Sequence, residues 1–101
     1  ANLQNFTGAI ADYNKAIELD PKDADSYYNR GLAKANLENY NDALFDYTKA
    51  IELNPTDAQI YFNRGFVKFK LNDKNGACLD LNKARELGNT NAYDIMKKYC
   101  N

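Results

Sequence analysis

Residues 24–55 read ADSYYNRGLAKANLENYNDALFDYTKAIELNP, and much of this stretch is written again on either side of it at a spacing of 34 residues. Identical residues at that spacing include Tyr27/Tyr61, Gly31/Gly65, Ala43/Ala77, Ala50/Ala84 and Pro21/Pro55. A fixed period of this length is typical of small helical units that stack side by side. Such units are seldom catalytic, and stacked together they usually form an extended surface.

Each unit is predicted to contain two helices. In the second half of the central unit, apolar residues recur at three- and four-residue steps and form one helical face: Tyr40, Ala43, Leu44, Tyr47, Ala50 and Ile51. Pro21 and Pro55 end the second helices, because proline cannot continue a helix. We expect polar N-caps at the same period, namely Asp23, Asp57 and Asn91 for the first helices and Asn5, Asn39 and Asp73 for the second.

Two glycines lie in the middle of predicted helices. Glycine there costs about 0.5–1 kcal/mol relative to alanine. Close approach of a neighbouring helix would offset that cost, so we expect Gly31 and Gly65 to face Ala43 and Ala77.

These residues resemble the tetratricopeptide repeat (TPR) family, and the chain is similar to a fragment of a bacterial-type member. The matching positions are Tyr27, Gly31, Ala43, Tyr47, Ala50 and Pro55, then Tyr61, Gly65, Ala77, Leu81 and Ala84, and upstream Ala9, Tyr13, Ala16 and Pro21. The resemblance implies an all-α, right-handed α-solenoid of helix-turn-helix repeats. It implies one TPR domain over 1–101, with a partial repeat (1–22, second helix only), complete repeats (23–56 and 57–89) and a C-terminal capping helix (90–101).

The chain departs from the family pattern at three kinds of position. Arginine (Arg30, Arg64) stands where the family has leucine, and lysine (Lys34, Lys68) stands where it has an aromatic residue. Tyr99 stands where the next glycine falls, and its bulk blocks a further close-packed unit. The last helix is therefore predicted to be a cap with a polar outer face.

Aspartates also follow the period, at Asp12, Asp46 and Asp80. They could form a row of carboxylates for a cation or for acid–base chemistry. They could instead pair with Arg30 and Arg64 between packed helices, since the guanidinium fork matches a carboxylate. We expect the second arrangement, with each arginine within about 4 Å of an aspartate.

Composition excludes several function classes. The chain has no histidine, which removes histidine-based catalysis and most zinc sites. The net charge is −1 with acids and bases interspersed, so the basic stripe of a nucleic-acid-binding protein is missing. No apolar run approaches the roughly 18 residues of a membrane span. We therefore expect a non-enzyme without cofactor or metal.

The two cysteines leave the compartment open. Cys78 is predicted early in one helix and Cys100 at the end of the capping helix beside it, so a disulfide is possible. A bridge would indicate a periplasmic or secreted protein, whereas one buried thiol and one terminal thiol would fit the cytoplasm.

In the TPR family the first helix of each repeat lines a concave groove that binds partners. The resemblance places these residues in a peptide-binding groove: Tyr28, Asn29, Leu32, Asn36, Gln59, Phe62, Asn63, Phe66, Phe69 and Lys70, with Ala35, Tyr93, Met96 and Lys97 beside them. It implies a non-catalytic protein–protein interaction module that holds a peptide or helical segment of a partner. Alternatively, the chain's own neighbouring helices cover these aromatic residues.

Some relatives clamp a C-terminal carboxylate with lysines and asparagines. Here Tyr28, Phe62 and Gln59 stand where bases would be needed, so a more apolar ligand is expected, with Asn29 and Asn63 bonding its backbone.

The main rival function is a structural spacer or homo-oligomeric scaffold. The chain opens at Ala1 in the middle of a unit, so we expect a fragment whose helix over residues 5–19 lacks its partner. Its apolar side is a possible self-association surface: Phe6, Ile10, Tyr13 and Ile17.

Overall fold

The computed structural model describes the backbone of residues 3–100 and the side chains of residues 5–100. Within that range there are helices and no strand: α1 (Leu3–Leu19), α2 (Ala24–Asn36), α3 (Tyr40–Leu53), α4 (Ala58–Lys70), α5 (Lys74–Glu86) and α6 (Thr90–Tyr99). Each helix packs mainly against the helices before and after it in the chain. The result is the expected all-α solenoid, elongated at 41 × 26 × 20 Å.

Two complete helical hairpins, α2–α3 and α4–α5, form the centre of the array. Small residues at their contacts let the helices approach closely, and Ala43, Ala50, Ala77 and Ala84 are fully buried. Tyr47 and Leu81 fill the matching positions in the two hairpins, each 1% exposed. No described helix is both long and apolar enough to cross a membrane.

Helix starts follow the predicted polar caps at three positions. The side chains of Asp23, Asp57 and Asp73 each accept a hydrogen bond from a backbone N–H of the following first turn. Asn39 occupies the N-cap position of α3 without such a bond.

Two of the predicted caps are wrong. Asn89, not Asn91, caps α6 and accepts from the N–H of Ala92 at 3.2 Å. The reason is Gly88, whose φ of 110° turns the chain directly after α5, so that α6 begins early. Asn5 lies inside α1, because that helix already begins at Leu3.

The two mid-helix glycines are sites of close helix contact, as expected. A Cβ on Gly31 would lie 2.8 Å from the Tyr47 ring, and one on Gly65 would lie 3.1 Å from the carbonyl oxygen of Ala77. The atoms nearest to Gly31 belong to Tyr47 and Asp46 rather than to the predicted Ala43.

Gly31→Ala is expected to lower the free energy of unfolding by about 1–3 kcal/mol, because the new methyl group overpacks the contact with Tyr47. Gly8→Ala is the matched control. Gly8 is also helical, but a Cβ there meets nothing within 4 Å. That substitution should raise stability by about 0.5–1 kcal/mol. Urea unfolding of the two variants measures both values, and equal effects would contradict the close contact.

Candidate partner-binding groove

The first helices of the hairpins, α2 and α4, lie side by side and form what we call the inner face. A hydrogen bond of 2.6 Å from the Asn63 amide to the Tyr28 hydroxyl joins them directly. Two shallow grooves border this face. One lies between α2 and α4 and has a volume of about 180 Å³, and the other lies between α4 and α6 with about 620 Å³. Phe66 lines both grooves.

Six of the ten predicted groove residues, and Ala35 beside them, line these two depressions. The α2–α4 groove includes Leu32, Ala35, Asn36, Asn63 and Phe66, and the α4–α6 groove includes Phe66, Phe69 and Lys70. The side chain of Asn36 donates to the carbonyl of Leu32, which fixes its amide along the wall.

The aromatic part of the inner face is centred on Phe66, whose side chain is 52% exposed. The Lys70 ammonium lies 5.4 Å from the centre of its ring. Phe69 is half-buried and its ring lies 5.9 Å from that of Tyr99. An exposed aromatic ring beside a shallow apolar groove can bury much area against a partner's side chain.

Other predicted groove residues have structural partners in the chain. Tyr28 lies over Tyr47 at 5.9 Å. Phe62 packs against a small core cluster formed by Leu81, Ala84 and Ala92, which we call the second core cluster. Neighbouring helices thus cover part of the aromatic surface, as the alternative interpretation expected. Gln59 lies in a separate polar depression near the start of α6.

The polar groups of the inner face differ in whether they are already hydrogen-bonded within the chain or are free to bond a ligand. Asn63 commits one amide hydrogen to Tyr28. Burial raises the pKa of the Tyr28 hydroxyl, with a further contribution from the charge of Asp57. The hydroxyl therefore keeps its proton at neutral pH and can donate it to a bound backbone carbonyl. Asn29 is half-buried and has no hydrogen-bond partner among residues 5–100.

The helix α6 contributes to the groove through other residues than those predicted from the sequence. Its wall consists of Asp94, Ile95, Lys98 and Tyr99, whereas Tyr93, Met96 and Lys97 were expected. Tyr93 is exposed beneath Lys97, and Met96 packs on the second core cluster.

Because Asn89 caps α6 two residues earlier than the repeat predicts, equivalent positions in α6 are counted from the N-caps. On that count the four wall residues correspond to Tyr28, Asn29, Leu32 and Ala33 of α2, three of which are predicted groove positions. The signal in the sequence was Gly88, in the shortened connection before α6.

The predicted Arg–Asp pairs are present in both complete hairpins. Arg30 donates hydrogen bonds to the Asp46 carboxylate from Nε at 2.9 Å and from Nη2 at 2.7 Å. Arg64 donates to Asp80 from the same two nitrogens, at 2.8 and 2.7 Å. The hydrogen bonds that Arg30 donates to Asp46 raise the pKa of Arg30, so the guanidinium remains charged. Both aspartates are buried and paired, which leaves the cation-site alternative unsupported.

A second cation completes each pair. The Lys34 ammonium lies 3.2 Å from Asp46, and that of Lys68 lies 3.0 Å from Asp80. One buried carboxylate in each hairpin thus accounts for both the arginine and the lysine that depart from the family pattern. The sequence analysis identified Lys34 and Lys68 as departures from the family pattern, but it did not predict their contacts with Asp46 and Asp80. Within residues 3–100 no cluster of possible metal ligands occurs.

Cys78 and Cys100 form a disulfide, with their Cα atoms 5.8 Å apart. The bond ties the end of α6 to α5. It therefore fixes the helix that supplies one wall of the α4–α6 groove.

The predicted self-association residues lie on α1. All four, Phe6, Ile10, Tyr13 and Ile17, are half-buried. Ile17 packs on the main core of the array, which we call the first core cluster: Tyr27, Ala43, Tyr47, Ala50, Ile51, Ile60 and Val67. Asp12, on the same helix, is exposed and has no ion-pair partner among the described residues.

Comparison with known proteins agrees with this geometry. Family models match the chain in three overlapping segments: a TPR repeat over residues 2–38 and tetratricopeptide repeats over residues 24–57 and 46–91. No curated protein sequence matches the chain.

Several solved structures are similar. The first TPR domain of Spaghetti (RPAP3), bound to the HSP90 peptide SRMEEVD, is 27% identical with a TM-score of 0.90, over 96% of this chain and 79% of that one. The TPR domain of Arabidopsis OM64 is 28% identical with a TM-score of 0.89, over 95% and 81%. MamA is 28% identical with a TM-score of 0.85 over 89% of this chain, which spans 54% of the MamA chain. The chain belongs to the tetratricopeptide repeat family.

Proposed function

We propose that the protein is a non-catalytic interaction module that binds a peptide or helical segment of a partner along the inner face. The observation that carries the proposal is Phe66, a half-exposed aromatic residue that borders both grooves. The Spaghetti domain, a structural relative, has an HSP90 peptide bound. That relative supports a protein or peptide as the class of partner.

The ligand that best fits this face carries an apolar side chain rather than only a terminal carboxylate. Phe66 and Phe69 offer ring surface, and the alkyl stem of Lys70 extends it. Tyr28 and Asn29 supply a donor and an amide for the ligand backbone. Three of the positions considered for a carboxylate clamp hold Tyr28, Phe62 and Gln59, so a clamp lacks its cations.

Phe66→Ala is expected to weaken binding of a peptide selected on the wild-type chain by about tenfold or more, because a central aromatic anchor is lost. Stability should change little, since half of the side chain is already in water. The measurement is fluorescence anisotropy with a labelled peptide from a phage-displayed library, with circular dichroism as the check on folding.

Phe45→Ala is the matched control. Phe45 is 66% exposed on α3, away from the inner face. Its removal should leave peptide affinity unchanged. If Phe45→Ala weakens peptide binding and Phe66→Ala does not, the peptide does not bind on the inner face and the proposal is wrong.

The rival function is a spacer or homo-oligomeric scaffold that self-associates through α1. It is favoured by the half-buried state of Tyr13, whose periodic equivalent Tyr47 is 1% exposed. Light scattering at increasing concentration tests it. A molar mass that stays at 11.5 kDa as the concentration rises would contradict the scaffold function. An increase to the mass of a dimer would support it.

A further inference from the structure

The groove between α4 and α6 repeats, one unit further along, the groove between α2 and α4. Counted from the N-caps, its residues Phe66 and Lys70 have the positions of Leu32 and Asn36 in α2. The two grooves therefore belong to the same inner face, but their chemistry differs. Among the described residues that line the α2–α4 groove none is charged, whereas three charged residues line the α4–α6 groove.

The two cations of the α4–α6 groove lie towards the C-terminal ends of its helices. Counted from the N-caps, Lys98 has the position of Phe66 in α4, and Lys70 lies one helical turn beyond Phe66. The single carboxylate, Asp94, has the position of Phe62, one turn before Lys98. The groove thus has an aromatic middle and one positively charged end.

The positive charge at this end is not neutralised by the described part of the chain. Lys70 and Lys98 are exposed and have no ion-pair partner among residues 5–100. Each lies near an aromatic ring instead. The Lys70 ammonium is 5.4 Å from the centre of the Phe66 ring, and that of Lys98 is 6.0 Å from the centre of the Tyr99 ring. A ring does not cancel the charge, so both cations remain available to an anion of a ligand.

We propose that the α4–α6 groove is specific for a partner segment that carries an apolar side chain with an aspartate or glutamate a few residues away. The apolar side chain contacts Phe66 and Phe69, and the carboxylate lies between Lys70 and Lys98. This inference rests on the proposed function and adds an acidic residue to its ligand. Neither lysine stands at a position considered for the clamp of a terminal carboxylate, so the acid is a side chain within the segment.

The helix dipole offers an explanation of the two lysines that needs no ligand. Lys70 and Lys98 lie in the last turns of α4 and α6, where a cation interacts favourably with the partial negative charge of the helix end. Lys97 lies in the last turn of α6 as well, with its ammonium 4.7 Å from the centre of the Tyr93 ring, but it does not line the groove. It therefore provides a control with the same charge and the same helix end.

The experiment is selection of peptides from a random phage-displayed library on the full chain with its disulfide intact. The peptides are joined to the coat protein at their C-terminus, so every acid that is selected is a side chain. We expect an apolar residue accompanied by aspartate or glutamate. Selection on the double variant Lys70→Met with Lys98→Met should keep the apolar residue and lose the acid. The control, Lys97→Met with Lys83→Met, removes the same charge outside the groove and should give the wild-type pattern.

The affinity of one selected peptide is then compared with that of the same peptide with its acid replaced by the amide. By fluorescence anisotropy, the wild-type chain should bind the acidic form about three- to fivefold more tightly at low salt, as expected for an exposed ion pair. The difference should vanish at about 1 M salt, where the screening length is about 3 Å. The Lys70→Met, Lys98→Met chain should bind both forms equally at any salt concentration.

Two results would overturn the proposal while the proposed function stands. One is selection of apolar peptides without an acid, whose binding still depends on Phe66. The other is loss of the acid preference in the Lys97→Met, Lys83→Met control to the same extent as in the groove variant, which would mean a general attraction of charge. Failure to select any peptide, or binding that is unaffected by Phe66→Ala, would contradict the proposed function and this inference together.

Discussion

Asp46→Ala is expected to lower the free energy of unfolding by about 3–5 kcal/mol, the usual cost of removing one partner from a buried ion pair. Asp46 is fully buried and accepts bonds from Arg30 while Lys34 lies 3.2 Å away. Without the carboxylate, two cations face each other in a poorly solvated contact. Because a domain of this size has only about 5–15 kcal/mol of stability, a large share of the total would be lost.

Asp12→Ala is the internal control for this prediction. It removes the same side chain at the equivalent position of α1, but there the carboxylate is exposed and has no described ion-pair partner. The expected change is within about 0.5 kcal/mol. Urea unfolding monitored by circular dichroism measures both variants. Similar losses for the two would show that the Arg–Asp–Lys contacts contribute little to folding.

Reduction of the Cys78–Cys100 disulfide is expected to lower stability by about 3 kcal/mol, from the loop-closure relation applied to a sequence separation of 22. The effect should be concentrated at α6. That helix buries only Ala92 completely and otherwise relies on partly exposed contacts such as Phe69 with Tyr99. Loosening α6 would also remove one wall of the α4–α6 groove.

The measurement is thermal unfolding with and without a phosphine reductant. A double variant, Cys78→Ser with Cys100→Ser, should match the reduced wild-type chain and be insensitive to reductant. Hydrogen exchange should become faster in residues 90–99 and remain unchanged in α2 and α3. An identical melting temperature in both conditions would contradict a stabilising role for the bond.

The repeat made much of the fold predictable from sequence. Gly31 and Gly65 are separated by one repeat length, as are Arg30 and Arg64. Because residues at this spacing occupy equivalent positions, the structure of one helical hairpin could be inferred from the other. The Arg–Asp contacts followed for the same reason. The Lys34 and Lys68 contacts could have been inferred as well, since both lysines lie one helical turn beyond an arginine that faces the same carboxylate.

The features at the ends of the array could not be inferred by the same reasoning. Periodic equivalence assumes that each helix has the same neighbours, and α1 and α6 each lack one among the described residues. Tyr93, the counterpart of Tyr27 counted from the N-caps, is 52% exposed for that reason, whereas Tyr27 is 8% exposed. Gly88 shifts the start of α6 towards the N-terminus of the chain, so the prediction of Asn91 as its N-cap was wrong.

The inner face was predicted only in part, because a residue can face the groove and still be covered. Phe62 and Tyr28 lie on the expected helices, but packing inside the array occupies much of their surface. Phe66 is left exposed because its side chain reaches the space between two neighbouring helices. Sequence spacing gives the helix face, and only the packing of the neighbours decides exposure.

The direct test of partner binding on the inner face is site-specific photo-crosslinking from two positions of one protein. A photoreactive phenylalanine analogue is placed at position 66 and, in a separate preparation, at position 45 on α3. The selected peptide should crosslink from position 66 and not from position 45. Crosslinking from position 45 alone would show that partners bind the outer helices instead of the inner face.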